Sequence, residues 1–327
     1  MMSPKENQLS YIQKKGKILF DNVIDDFMLQ QQYQVKQSTY AHYVSLIETH
    51  IRPDFGKMYL DELSSGVFEA YSSEKLRNGK LNRSGGLSPK TVKDLLSLIR
   101  LILKYGIMKG IIDQQVLFFS GPRVTRKEVQ VLSRQEQKKL EDFILNSDDT
   151  MCFGVYLCLY TGLRLGEICA LKWSDINFEE GYLNIDKTLI RIKNTEETGA
   201  KTRLLIDTPK STASKRKIPI SLSLEEQLLK LQKNSLSEDT FFLTGMEKFI
   251  EPRSYYNKYK DYLNRCDIYS YTFHALRHTF ATRCIEKGVD PKSLSEILGH
   301  ADVKITLDRY VHPSLEHKRN CMELLFS

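Results

Sequence analysis

Between residues 120 and 130 the chain (Ser-Gly-Pro-Arg-Val-Thr-Arg-Lys-Glu-Val-Gln) carries cations but no apolar stripe of helical period. Strongly periodic segments lie on both sides, so this stretch reads as a linker between two separately packed domains. Directly after it, Ser133-Arg134-Gln135-Glu136 has the form of a capping box, which fixes a helix start there. The expected organisation is a loose, lysine-rich arm at 1–17, a helical domain at 18–118, a linker at 119–132 and a second domain at 133–327. A length of 327 residues suits two domains.

The first domain reads as four or five helices. Phe20, Val23, Ile24, Phe27 and Met28 fall on one helical face. Ser38 suits an N-cap for a helix carrying Tyr40, Tyr43, Val44, Ile47 and Ile51, which Pro53 is expected to end. Ser64 or Ser65 starts a third helix bearing Val67, Phe68 and Tyr71. Residues 77–87 form a basic, glycine-containing loop. Ser88-Pro89 then opens a helix with Leu95, Leu98, Ile99, Ile102 and Leu103, closed by Gly106 or Gly110.

In the second domain, a segment from about Thr150 to Tyr160 is apolar nearly all round, the mark of a central helix. Beyond residue 171 the period changes to two. Residues 182–187, 188–192, 203–207 and 216–220 are expected to form a small antiparallel sheet. Ser223-Leu224-Glu225-Glu226 reads as a second capping box, and the remainder is helical. The fold class expected is mainly α with a small antiparallel β-sheet: a helical domain followed by a mixed α/β domain.

Charge constrains function only loosely. Lys and Arg number 48 against 41 Asp and Glu, a formal charge of +7 that permits an anionic partner without demonstrating one. The six cysteines (Cys152, Cys158, Cys169, Cys266, Cys284, Cys321) form no CxxC pair and no zinc-finger spacing, so reduced, buried thiols are expected. The first residues lack a signal-type apolar region, and no apolar run reaches the ~18 residues of a bilayer span. A soluble, cytoplasmic protein is expected.

Several segments carry groups suited to binding or attacking a phosphate. In Thr272–Arg283, His274 and Arg277 stand at i and i+3 on one helix face, near an N-terminus that attracts anions. Two polar residues on a solvated face is the equal alternative. Arg164 follows a glycine turn at a helix start, with Glu167 at i+3; the pair is either a surface ion pair or a carboxylate orienting a guanidinium fork. The segment 201–217 carries Lys201, Arg203, Lys210, Lys215, Arg216 and Lys217 against one acid, Asp207. Such a run is usually a solvated face, but a cationic hairpin also suits a DNA backbone. Asp290, Pro291 and Gly299 bracket a short helix, after which comes His300. Tyr310, one of 17 tyrosines, is weak by itself. A phenol becomes a plausible nucleophile when cations and donors surround its target.

Together these boxes resemble the tyrosine recombinase family, the phage-integrase-like site-specific recombinases. The matching stretches are TGLRLGEICAL, the TPK turn followed by SKRKIPI, HALRHTFAT, LGH and TLDRYVH, in family order over residues 161–312. Residues 133–327 are similar to the family's catalytic domain and 18–118 to its core-binding domain. The resemblance implies that Tyr310 is the nucleophile and that Arg164 and Arg277 hold the non-bridging oxygens of the scissile phosphate. It further implies that His274 takes part in proton transfer with Tyr310, that His300 binds the phosphate, that Lys210 protonates the 5′-oxygen, and that Glu167 is the supporting acid. Lys215 and Lys217 are the alternatives to Lys210.

The implied product is a 3′-phosphotyrosine, reversed by a second 5′-hydroxyl, with no cofactor and no metal. The implied partners are double-stranded DNA recombination sites, further copies of the chain in a homo-tetramer, and accessory DNA-bending or directionality proteins. With about 17 residues before the first helix, the arm-site-binding domain of larger integrases is expected to be absent. An apolar tail (Leu315, Met322, Leu324, Leu325, Phe326) is expected to be a helix that docks on its own domain or on a neighbour. The competing functions are a type IB topoisomerase, a DNA-binding regulator with a degenerate site, and a metal nuclease.

Overall fold

The computed structural model describes residues 18–82, 84–112, 118–125, 128–194, 200–207, 214–232, 239–311, 319 and 322–323. Lys210, Cys321 and the apolar tail other than Met322 lie outside the described residues. The chain forms two compact units, residues 1–127 with 192–203, and residues 128–191 with 204–327.

The first unit is helical. Helix α1 (Phe20–Gln34) buries the five apolar residues of its stripe. Helix α2 (Gln37–Leu46) begins before Ser38; Lys36 stands at its N-cap without a side-chain capping bond, and Ser38 Oγ is buried without a partner. Pro53 does not end the helical path. A π-helical turn, Ile47–Ile51, leads straight into α3 (Arg52–Phe55), and the proline sits in the first turn of α3. A missing N–H is harmless there, which is why the expected stop is only a change of helical winding. Helices α4 (Ser65–Asn78) and α5 (Pro89–Met108) complete the unit, with Ser88 capping α5 through Thr91 N. Phe20, Phe55, Phe68 and Tyr71 pack together with the buried face of α5.

In the second unit α6 (Arg134–Leu145) opens on the expected capping box. Glu136 N donates to Ser133 Oγ at 3.2 Å, and Ser133 N to Glu136 Oε2 at 2.8 Å. Helix α7 (Phe153–Thr161) buries nearly every side chain and is the centre of the core. It stops at Gly162 in the left-handed region (φ 66°), and α8 (Leu165–Ala170) follows.

The strands β1 (Ile176–Asn177), β2 (Tyr182–Ile185), β3 (Thr188–Lys193), β4 (Thr202–Asp207) and β5 (Arg216–Pro219) form two sheets rather than one. Order β1-β2-β5 is antiparallel, with Leu183 opposite both Ile176 and Ile218, while β3 and β4 pair separately. Asp186 and Lys187 break the ladder between β2 and β3, and the Lys187 ammonium is tied to Asp175 at 2.7 Å.

Helix α9 (Leu222–Gln232) starts before the expected box at Ser223; Ser221 Oγ accepts from Leu224 N instead. Helix α10 (Pro252–Arg265) buries Tyr255, Tyr259 and Tyr262. The last three helices are α11 (His274–Glu286), α12 (Pro291–Leu298) and α13 (Val303–Tyr310). Asp290 caps α12 and Asp302 caps α13, but α11 has no side-chain cap; Thr272 contributes its carbonyl, to Ala275 N and the Tyr259 hydroxyl. The described cysteines are free thiols: four are buried and Cys284 is half-buried. No helix among the described residues is long and apolar enough to cross a membrane.

Gly162 combines a positive φ with close packing, since an added Cβ would lie 2.7 Å from both Leu298 Cδ2 and Phe280 Cδ1. The left-handed penalty and the overpacking together predict that Gly162→Ala lowers stability by roughly 2–4 kcal/mol. A urea titration read by circular dichroism checks this.

Candidate active site

Apart from Lys210, which lies outside the described residues, the predicted residues lie on the helices of the second unit or directly beside their ends. Arg164 is the residue before α8, placed there by the turn at Gly162. Its Nη1 donates to Glu167 Oε1 at 2.7 Å and its Nη2 to the Gly299 carbonyl at 3.2 Å, while its backbone N–H donates to Glu167 Oε2 at 2.9 Å. About a third of the Arg164 side chain remains open to solvent.

Glu167 is only 4% exposed. Arg216, on β5, grips it with a parallel fork, Nη1 to Oε1 at 3.0 Å and Nη2 to Oε2 at 2.9 Å, and donates from Nε to the Ile297 carbonyl at 2.6 Å. Burial alone would raise the Glu167 carboxyl, but the Arg216 fork and Arg164 outweigh it and hold it at about 2. Glu167 is therefore ionised, neutralised and fixed, and it orients Arg164. Arg216 is a site-building residue that the sequence reading left within a run of hairpin cations.

Arg277 is 1% exposed. Its Nη1 donates to the Gly162 carbonyl at 2.9 Å and its Nη2 to the Leu298 carbonyl at 2.7 Å, so it bridges the C-terminal ends of α7 and α12. Burial first, then Arg164, draws its pKa down to about 9, which still leaves it charged at neutral pH. His300 follows Gly299, whose left-handed conformation (φ 63°) ends α12. Its Nδ1 lies 2.8 Å from the buried Thr306 hydroxyl. With the hydroxyl donating to Nδ1, the proton of the neutral ring sits on Nε2 and is available to a phosphate oxygen.

Tyr310 ends α13. It is 7% exposed, and its ring packs with Ala281, Leu294 and Leu298. Its Oη lies 2.6 Å from Nδ1 of His278, not from His274. The His274 ring meets His278 edge-on, with centroids 4.5 Å apart. His274 and His278 stand at i and i+4, the spacing that would have marked them as one face. Burial raises the Tyr310 pKa, against the opposing pull of Arg277, Arg309 and Arg164. Arg309, exposed beside the tyrosine and absent from the residues expected from sequence, also acts on all three histidines.

The arrangement concentrates positive charge. Arg164, Arg216, Arg277 and Arg309 bring four positive charges, and Glu167 answers one. The remaining excess and burial keep the histidines neutral: burial is the leading cause in each, bringing His274 to about 4 and His278 and His300 to about 3. Among the described residues no group of three or more His, Cys, Asp or Glu side chains could hold a metal ion.

Two family profiles match the chain: the phage integrase family over residues 123–317, and the phage integrase N-terminal SAM-like domain over residues 19–75. The chain belongs to the phage integrase family; it is a tyrosine recombinase, a DNA breaking and rejoining enzyme of site-specific recombination. A tyrosine recombinase XerC-like protein of Caldanaerobacter subterraneus subsp. tengcongensis is 27% identical, across 98% of this chain and 87% of its own length. The transposase from transposon Tn916 of Enterococcus faecalis is 29% identical, across 57% of this chain and 48% of its own. In fold, the chain is similar to the Tn1549 transposon integrase solved with a circular intermediate DNA, with a TM-score of 0.74 and 22% identity over 94% of this chain and 100% of that one.

The three histidines bind protons more readily unfolded, near pH 6.5, than folded. Their contribution to stability is complete above that value and is lost as pH falls toward 4 and then 3. The melting temperature should therefore drop between pH 7 and pH 5, and His300→Asn should show a shallower drop in the same scan.

Proposed function

We propose that Tyr310 is the nucleophile of the recombinase and that it attacks a DNA phosphodiester held by Arg164, Arg277 and His300. What supports this is the position of the Tyr310 hydroxyl, buried and within the electrostatic reach of Arg277, Arg309 and Arg164. A phosphodiester gains negative charge as the fifth oxygen approaches. Preorganised donors facing that charge are the largest kind of catalytic term.

In the proposed step the Oη–P bond forms and the P–O5′ bond breaks. Its electron pair leaves on the 5′-oxygen, which takes a proton from Lys210. The hydroxyl proton of Tyr310 needs an acceptor on α11, where the rings of His274 and His278 meet. The 3′-phosphotyrosine retains the ester's free energy, so attack by another strand's 5′-hydroxyl rejoins DNA without an external energy source. Glu167 is proposed as a positioning acid: it faces Arg164 and Arg216, and a carboxylate turned toward phosphate would repel it.

The proposal extends to the finer partners. Exchange between two duplexes needs four strand cleavages, which fits a homo-tetramer on paired sites, acting in the cytoplasm and aided by DNA-bending or directionality proteins. The relatives named for transposons support a mobile element as the source of those sites.

Tyr310→Phe should bind DNA as the wild type does and yield no denaturation-resistant adduct; an adduct from that variant would move the nucleophile elsewhere. Lys210→Ala should lose about 100-fold or more in cleavage rate, in the range of general acid catalysis. Sulfur in place of the 5′-oxygen should restore that rate, because a thiolate leaves without a proton.

A further inference from the structure

We propose that His278 is a catalytic residue of this enzyme, its Nδ1 accepting the Tyr310 hydroxyl proton as Oη attacks the scissile phosphorus. This rests on the reading of Tyr310 as the nucleophile and assigns the base that reading requires.

Geometry carries the assignment. A general base must lie within hydrogen-bond reach of the proton it takes. Nδ1 of His278 is 2.6 Å from Tyr310 Oη, with the ring centroids 5.7 Å apart and the planes 53° to one another. His274 stands one ring further along, edge-on against His278. The contact joins α11 to the last residue of α13, and the tyrosine ring is fixed by the packing of Ala281, Leu294 and Leu298. Neither partner hangs on a loop, so the alignment is built into the helix packing.

Protonation states agree with the direction of transfer. Burial, then His274, Arg309 and Arg277, keep the His278 ring neutral, and burial keeps the Tyr310 hydroxyl protonated against the pull of Arg277, Arg309 and Arg164. A neutral ring with its proton on Nε2 presents a lone pair at Nδ1, to which the hydroxyl donates. Transfer before attack is strongly uphill, because the phenol is a far weaker acid than this imidazolium. It becomes favourable only as Oη commits its lone pair to phosphorus and its proton turns acidic.

The two events are therefore concerted. Oη–P forms, the Oη–H electrons stay on oxygen, the proton moves to Nδ1, and the P–O5′ electrons leave with the 5′-oxygen. An arriving phosphate also offsets the guanidinium charges that disfavour an imidazolium. In the rejoining step the same proton returns from Nδ1 to Oη as the tyrosine departs.

His278→Asn tests the assignment, since its amide oxygen can accept the hydroxyl's hydrogen bond without taking a proton at neutral pH; His278→Gln is the second variant. Each is compared with wild type and His274→Asn in single-turnover adduct formation. The substrate is a nicked duplex of the enzyme's recombination site with a 5′-bridging sulfur at the cleaved bond, which removes the leaving-group proton from the pH profile. Gel-shift affinity and melting temperature identify variants that fold and bind.

The expected result is an adduct rate about 100-fold or more below wild type for the folded His278 variant. Its log rate should climb with unit slope in pH, as hydroxide replaces the base, where the wild type is flat. A His278 variant within about threefold of wild type overturns the proposal. So does a slow variant with a flat profile, or a unit slope found in His274→Asn instead. Failure of the underlying reading has its own signature: an adduct from Tyr310→Phe.

Discussion

A guanidinium almost wholly removed from water, with carbonyl oxygens instead of a carboxylate as its hydrogen-bond partners, holds this site together. Burying a charge is costly unless its donors are matched. Arg277 meets that requirement with the Gly162 and Leu298 carbonyls, at the ends of two helices whose macrodipoles present negative charge there. Those dipoles satisfy the donors without cancelling the charge. Arg216 shows the opposite use of the same side chain, because Glu167 cancels it and the pair serves as a girder. Arg164 draws on both: it leans on Glu167 and on the Gly299 carbonyl, yet keeps part of its surface toward solvent.

The same geometry explains why both helices stop at a left-handed glycine. Gly162 ends α7 and turns the chain into Arg164; Gly299 ends α12 and turns it into His300. Each turn delivers a functional side chain on one side and a carbonyl on the other, the Gly162 carbonyl for Arg277 and the Gly299 carbonyl for Arg164. Fold and site are thus set by the same few backbone torsions.

Much of this could be read from the sequence. The stripe of α1, the box at Ser133, the all-apolar α7 and the Asp290 to Gly299 bracket follow from local rules of periodicity and capping, and they hold in the structure. Expectations failed where a longer-range term intervened. Pro53 read as a stop because the π turn that absorbs it has no sequence mark of its own. Ser38 and Ser223 read as caps where the helices start earlier. In the site, Arg164, Glu167, Arg277, His300 and Tyr310 stood out through their boxes, whereas Arg216 was lost in a charged hairpin. Its signal was the two-residue alternation that puts it on the buried face with Ile218. His278 carries no local mark beyond its i, i+4 spacing from His274, and its meaning depends on a tyrosine 32 residues away that only the folded chain brings near.

Arg164, Arg277, His278, His300 and Tyr310 all come from one polypeptide, and the Tyr310 ring is packed against its own α11 and α12. Under the proposed reading of Tyr310, each copy of the chain would cut with groups of its own, and a copy lacking them would leave only its own strand uncut.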